Sequence, residues 1–365
     1  MFNDAEPAEK DSAAALSAGL TPTASDLAAA ASERYSRQVL FPGIGIAGQT
    51  LLLQSHVAIV GCGATGAATA SLLARAGVGQ LTLIDRDYVE ESNLQRQVLF
   101  DEQDAREGLP KAEAAMRRIA LFNSGVAVHA HIADLVPANI HALLAPAQIV
   151  LDATDNFETR YLINDYAVEQ RKPWIYAAAI GAYAATMNIL PGGACLACIF
   201  PKPPIGPVET CDTSGILNTA VNFAASIQAT EALKYLANQP QAMRRTLLSF
   251  DLWSNERSEI NSSKPLPDCE VCGQRVFAHL AGQGRPHITL CGRNSVQIHE
   301  HHRPVDFAAM QARLAPHGDV RFNGLLLRFE RGPHRITLFA DGRALIQGTT
   351  DIALARSLYA RFIGS

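Results

Sequence analysis

No run of about eighteen consecutive apolar residues occurs anywhere in the 365-residue chain, so no membrane-spanning helix is expected. Charge of one sign is also scarce. The formal net charge is −4, and residues 1–30 account for it, with Asp4, Glu6, Glu9, Asp11 and Asp26 against Lys10. The remainder is balanced, which argues against a nucleic-acid footprint. Aromatic residues are 7% of the chain and form no stripe on which bases could stack. The opening stretch is rich in Ala and Ser and lacks a basic start followed by an apolar core, so it does not read as a secretory signal. It reads as a disordered tail, with a short helix over residues 26–34 as an option. A GxxxxGK[ST] phosphate loop is missing, so any ATP must be held by other means. Cysteine is sparse at seven, and four of the seven stand in two CxxC pairs. That usage fits a reducing cytoplasm and a metal better than disulfides.

What is present is a chain with 48% apolar residues, enough for a substantial core, and 18% charged residues, too few for a largely disordered protein. Residues 57–60 are a short apolar run ending at Gly61 and read as a buried parallel strand. An Ala- and Leu-rich helix over 64–76 and a strand over 81–84 complete a βαβ unit. The alternation continues with a helix at 111–122, strands at 126–130 and 148–151, a helix at 158–170 and a strand at 174–177. It predicts an α/β fold, a Rossmann-like doubly wound, mostly parallel sheet. A strand over 183–190 falls outside the parallel set, a proline-rich loop covers 201–207, a long apolar helix covers 217–236, and a strand covers 247–252. Trp174 and Trp253 sit in strand-like segments and read as core. From about residue 277 the texture changes to a small α+β module, with strands at 287–290, 325–329 and 335–339 and helices at 307–314 and 352–362. The run His299-Glu300-His301-His302 could hold a metal loosely but reads better as a solvated loop.

The loop Gly61-Cys62-Gly63-Ala64-Thr65-Gly66 follows the first strand and opens a helix. Glycines there let the backbone approach a phosphate, which the helix N-terminus attracts. Asp85 ends the second strand, where a carboxylate binds ribose hydroxyls. An NAD-dependent oxidoreductase carries the same pattern, although no later His/Asp/Lys constellation stands out for hydride transfer. Cys62 reads as a packing residue. Just past the strand ends lies a dense polar string: Asp85, Asp87, Asn93, Arg96 and Gln97, then Lys111. Cations there would neutralise triphosphate charge, and a carboxylate would support Mg²⁺. Cys195 and Cys198 with Cys269 and Cys272 can form a closed four-thiolate site of the kind zinc favours, tying loops together rather than catalysing. The alternatives are four free thiols or a labile disulfide.

Arg34-Tyr35-Ser36-Arg37-Gln38, the glycine loop, Asp85 to Asp87, Asn93 to Gln97, Lys111 and Thr154-Asp155-Asn156 occur in an order that resembles the ThiF/MoeB/HesA adenylyltransferases, relatives of ubiquitin-activating enzymes. The resemblance covers roughly residues 34–274. It departs at Ala64, where the family commonly has a further glycine. It implies that Gly61, Gly63, Gly66, Asp85 and Asp87 bind ATP, with Asp85 on the ribose. Asn93, Arg96, Gln97 and Lys111 would handle the phosphates, and Asp155 would serve Mg²⁺ or the reacting carboxylate. Arg37 would reach a partner's triphosphate across a homodimer interface. Cys211, in Thr210-Cys211-Asp212, would lie in a mobile crossover loop, with a role in attacking the activated carboxylate or carrying sulfur; a loop residue without chemistry is the alternative. Cys291 only faintly resembles a rhodanese loop cysteine.

The implied organisation is a tail over 1–30, an ATP-binding adenylyltransferase domain over 31–276 and an accessory module over 277–365. The implied reaction is ATP-dependent adenylation of the C-terminal glycine of a small ubiquitin-like sulfur-carrier protein of the MoaD/ThiS type. A thiocarboxylate would follow, with sulfur from a persulfide donor, either a cysteine desulfurase or a rhodanese. The destination would be molybdopterin, thiamine or thiolated tRNA. Adenylation of another acceptor (a peptide or tRNA), an NAD-dependent oxidoreductase and a non-catalytic scaffold remain rivals. ATP, Mg²⁺ and Zn²⁺ are the expected cofactors, and the cytoplasm the expected location.

Overall fold

The structure, a computed structural model, describes residues 32–202, 214–282, 288–291, 294–298 and 304–364, together with Ser25. The expected tail over 1–30, apart from Ser25, lies outside the described residues, as do Cys211, the run from His299 to His302, and most of the proline-rich loop over 201–207 and of the optional helix over 26–34.

Eight strands form the first sheet: β1 (His56–Val60), β2 (Gln80–Asp85), β3 (Ala127–Ile132), β4 (Ile149–Asp152), β5 (Trp174–Ile180), β6 (Tyr183–Ile189), β7 (Thr246–Asp251) and β8 (Glu256–Asn261). Their order is β3-β2-β1-β4-β5-β6-β7-β8. β3 to β5 in that order run parallel, and β6, β7 and β8 add on antiparallel. The strand order reverses between β1 and β4, a topological switch point where open sheets of this kind bind ligands.

The period of two in β1 explains why it is continuously apolar. Val57 and Ile59 enter one core with Leu73, Leu81, Ile119 and Leu151, whereas Ala58 and Val60 enter the opposite core with Ile163, Tyr166, Trp174 and Met187. A strand covered on both faces has no solvent side to make polar. Of the helices, α1 (Ala64–Ala76), α2 (Lys111–Phe122), α3 (Phe157–Gln170) and α4 (Asn218–Leu236) supply most of this cover. Gly77 ends α1 with φ +83°, closed by N–H bonds to Leu73 and Ala74 carbonyls.

Three features differ from expectation. β8 is fully exposed and reads Glu256-Arg257-Ser258-Glu259-Ile260-Asn261, an edge strand whose outward charges hide the usual alternation. Trp253 is not core: it sits in the β7–β8 turn, 81% exposed. A six-residue helix, Glu102–Glu107, follows the polar string.

The second sheet is antiparallel, with order β11-β12-β13-β14-β10-β9. Its strands are β9 (Ile288–Cys291), β10 (Ser295–Ile298), β11 (Asp319–Phe322), β12 (Leu326–Arg331), β13 (His334–Phe339) and β14 (Ala344–Gln347). Two helices, Phe307–Leu314 and Ile352–Phe362, share its core through Leu314, Ala355, Tyr359 and Phe362.

Candidate active site

The loop after β1 is shaped by contacts that exclude a side chain. Gly61 has φ +89°, and a Cβ there would lie 2.6 Å from the Ala153 carbonyl oxygen, in the loop after β4. A Cβ on Gly66 would lie 1.9 Å from the Gly61 carbonyl oxygen. These two positions need glycine because the first turn of α1 folds back onto the loop and β4 presses on it from the side. Gly63 is different. There a Cβ would come no closer than 3.9 Å, to the Gln97 amide nitrogen, so no clash excludes a side chain and the space beside it is open.

Asp85, at the end of β2, is 9% exposed and latches this loop: one carboxylate oxygen accepts from the Cys62 N–H at 2.5 Å, the other from the Asp87 N–H at 2.7 Å. Burial pushes the Asp85 carboxyl upward, against the pull of Lys111 and these two N–H groups. Each oxygen keeps a lone pair for a ribose hydroxyl. Cys62 is buried, and its thiol is pushed up by burial, as befits a packing residue.

Lys111, at the start of α2, is 8% exposed, with Nζ 3.5 Å from Asp87. Burial would lower its pKa, but Asp87, Asp85, Asp155 and Glu90 together hold it raised, so the ammonium stays charged. Asp87 sits below the ordinary carboxylate range. Burial opposes that, and the charges of Lys111, Arg86 and Arg343 outweigh it. Backbone bonds from the Lys111 N–H to the Asp87 carbonyl (2.9 Å) and from the Val89 N–H to the Leu109 carbonyl (2.8 Å) pin the two segments side by side.

Asn93 and Gln97 are both buried, at 4% exposure. Asn93 caps its short helix by accepting from the Glu90 N–H at 3.2 Å. The amide oxygen of Gln97 is buried with no hydrogen-bond partner among the described residues. A buried acceptor left unpaired is costly unless something else binds it, and the amide nitrogen of the same side chain is the atom nearest the Gly63 position. Arg96 is half-buried and donates to the Ser92 carbonyl at 2.9 Å. Asp155 is exposed just after β4. The structure thus gathers the glycine loop, Asp85, Asp87, Asn93, Gln97, Lys111 and Asp155 around the ends of β1, β2 and β4. Arg37 is exposed on the Ser36–Val39 helix.

Three supporting residues escaped the sequence reading. Asp152, fully buried at the end of β4, accepts from Thr154 N–H and Oγ1 (2.9 and 2.6 Å) and from Arg160 Nε (3.2 Å). Arg160 also donates to the Thr154 carbonyl at 2.6 Å. This buried pair sets the turn that presents Asp155. The spacing of Asp152 and Arg160, eight residues apart across a helix start, gave no motif to recognise. Gln228 of α4 likewise donates to the Asp152 and Ile175 carbonyls at 2.7 and 2.9 Å.

Away from the crevice, the sulfurs of Cys195, Cys198, Cys269 and Cys272 lie within 4.8 Å of one another. Contacts of 3.9, 3.6 and 3.4 Å link Cys195 to Cys198, Cys195 to Cys269 and Cys198 to Cys272. Tetrahedral thiolates about 2.3 Å from zinc would stand about 3.8 Å apart, so these residues fit the ion. The Leu266 N–H donates to Cys198 Sγ at 3.3 Å, the second-layer contact such sites use. The knot is tied to α3, since the Leu196 N–H donates to Asn164 at 2.8 Å and the Tyr161 hydroxyl to the Phe200 carbonyl at 2.5 Å.

Residues 35–271 match the ThiF family. The sulfur carrier protein ThiS adenylyltransferase of Bacillus subtilis is 44% identical over 336 residues, 91% of this chain and 99% of its own length. That span exceeds residues 1–276, so it takes in part of the second sheet. The SAMP-activating enzyme E1 of Haloferax volcanii is 38% identical over 66% of this chain and 89% of its own length. Among solved structures, Escherichia coli MccB with ATP superimposes with a TM-score of 0.58 at 26% identity, covering 66% of this chain and 75% of the other.

Proposed function

We propose that this chain, which belongs to the ThiF family, uses ATP to adenylate the C-terminal glycine carboxylate of a small ubiquitin-like sulfur-carrier protein of the MoaD/ThiS type. It is an adenylyltransferase, and its family uses ATP. The observation that carries the acceptor assignment is the likeness, over 91% of the chain, to an enzyme named for its action on ThiS. The crevice supports it. The carboxylate attacks the α-phosphorus, a new O–P bond forms, the bond to the bridging oxygen breaks, and pyrophosphate leaves. A carboxylate nucleophile needs no general base, so the protein positions the reactants and offsets charge.

In that reading Asp85 holds the ribose, the Gly61, Gly63 and Gly66 backbone admits the phosphates, and Gln97, Asn93, Arg96 and Lys111 bind them, with Asp87 orienting Lys111. Asp155 offers the exposed hard oxygen that Mg²⁺ takes, or orients the reacting carboxylate; bound Mg²⁺ would neutralise phosphate charge. Arg37 reaches a partner's triphosphate in a homodimer. Zinc, held by the four cysteines, serves structure. Sulfur then arrives through Cys211 or directly from a persulfide donor. The catalytic unit spans 31–276, with 277–365 as its accessory module. No helix among the described residues is long and apolar enough to cross a membrane, and we place the reaction in the cytoplasm.

ATP–pyrophosphate exchange, with and without carriers ending in Gly-Gly, tests this. Carrier-dependent exchange that falls at least about a hundredfold in Asp155→Ala supports it, and the carrier that works identifies the pathway. ATP binding without exchange would move the acceptor to a peptide or tRNA. Nicotinamide binding with no ATP binding would restore the oxidoreductase.

A further inference from the structure

The second sheet leans on the two segments that carry Asp87 and Lys111. Arg343, in the turn between β13 and β14, is 1% exposed. Its Nη2 donates to the Arg86 carbonyl at 2.8 Å, its guanidinium lies 3.7 Å over the Phe339 ring, and Asp341 is 3.6 Å from Nε. Next along the chain, the Tyr88 hydroxyl donates to Gln347 at 3.0 Å, and Gln347 donates on to Glu90 at 3.3 Å. The Tyr88 ring is buried with Leu326 and Phe339, and the Arg328 guanidinium covers it at 4.2 Å. On the other segment, Asn323 donates to the carbonyls of Glu107 (3.0 Å) and Gly108 (3.2 Å). The backbone bonds that join Asp87 to Lys111 and Val89 to Leu109 make residues 86–90 and 107–111 one ribbon. The sheet grips both of its sides.

We propose that the C-terminal sheet holds this ribbon in the register the nucleotide crevice needs, with Arg343 as the positioning residue. The inference rests on the adenylyltransferase reading above. Stability alone gives a poor account of Arg343. A buried guanidinium is expensive to desolvate, and this one has a single backbone acceptor, one long ion pair and an Nε without a hydrogen-bond partner among the described residues. An apolar residue of similar length would bury at less cost. What Arg343 adds is a fixed point on the Arg86 carbonyl, one residue before Asp87, and a positive charge that helps to keep the Asp87 carboxylate ionised.

The test compares four variants of the full chain: Arg343→Met, Arg343→Lys, Gln347→Leu and, as control, Arg313→Met. Arg313 braces the same module away from the ribbon, donating to the Phe362 and Ile363 carbonyls. The expected result is a rise of about tenfold in KM for ATP in exchange for Arg343→Met, partial rescue by Arg343→Lys, a smaller rise for Gln347→Leu, and a lowered Tm with unchanged KM for Arg313→Met. Equal KM in Arg343→Met and Arg313→Met would overturn the proposal. If Arg343→Met does not fold, an unchanged KM in Gln347→Leu overturns it instead. Should the wild-type protein show no exchange, the adenylation reading fails. The positioning claim is then judged by calorimetric ATP affinity in the same variants, and equal affinities across them reject it.

Discussion

The crevice and the sulfur knot are both built on segments that leave the first sheet, and they follow opposite plans. In the crevice, polar groups are left short of partners: the Gln97 amide oxygen is buried and unpaired among the described residues, and Asp155 is exposed. In the knot, sulfur meets sulfur on every side, and Cys195, Cys198 and Cys269 are buried. A site that must exchange ligands keeps unspent hydrogen-bonding capacity, whereas a site that must hold loops closes its coordination. The charges follow the same division. Lys111 is kept ionised by surrounding carboxylates. At the knot, the close contact of the two sulfurs draws the Cys198 thiol down and drives the Cys195 thiol up, whereas a divalent cation would favour the thiolate form of all four cysteines.

Substitutions should therefore separate the two regions. The largest effect is expected for Gly66→Val, whose Cβ would meet the Gly61 carbonyl oxygen at 1.9 Å. The loop must open to relieve it, and ATP affinity should fall by about a hundredfold or more, measured by calorimetry. The knot should show the opposite pattern. Cys269→Ser should remove one equivalent of zinc, read by metal analysis, and lower Tm on the order of 10 °C through loss of several kcal/mol of metal-coupled folding energy. Exchange at 25 °C should persist in whatever fraction stays folded. If Cys269→Ser instead abolished exchange at unchanged Tm, the division of labour between knot and crevice would be wrong.

Most of the crevice was legible because its demands are local. A glycine turn between strand and helix, an acidic residue at the next strand end and a dense polar string each leave a pattern in consecutive residues. The four CxxC cysteines were legible for the same reason, since each pair is a short spacing and two such pairs together suit a four-thiolate site. What escaped were residues whose roles exist only across the fold. Asp152 and Arg160 matter because β4 brings the Thr154 turn against Gly61, and Arg343 because a distant turn reaches Arg86. The strands of the second sheet were read incompletely because β10, β11 and β14, the three that escaped, are four residues each, too short for alternation to emerge. Trp253 was misread because it lies two residues past the end of β7, and an aromatic there looks like a continuation of the strand.

The smallest expected effect is also the one that distinguishes the two plans best. Gln97→Leu removes an amide oxygen that has no partner among the described residues together with the amide nitrogen that lies nearest Gly63. In the knot, removing a ligand must cost stability. Here the folded protein gives up nothing that it was using, and it no longer buries an unpaired oxygen, a burden of about 1–3 kcal/mol. The Tm should stay level or rise by a few degrees. The backbone bond from the Gln97 N–H to the Asn93 carbonyl, at 3.0 Å, survives the change and keeps the string in place. ATP, however, loses the amide N–H donor beside Gly63 from which a phosphate oxygen can accept, and KM in exchange should rise about tenfold, the range for one lost hydrogen bond. A protein that becomes slightly more stable and binds its nucleotide less well shows that this amide was kept for the ligand. If Gln97→Leu lowered Tm and left KM unchanged, Gln97 would belong with the structural residues, and the phosphate contacts would rest on Lys111 and Arg96.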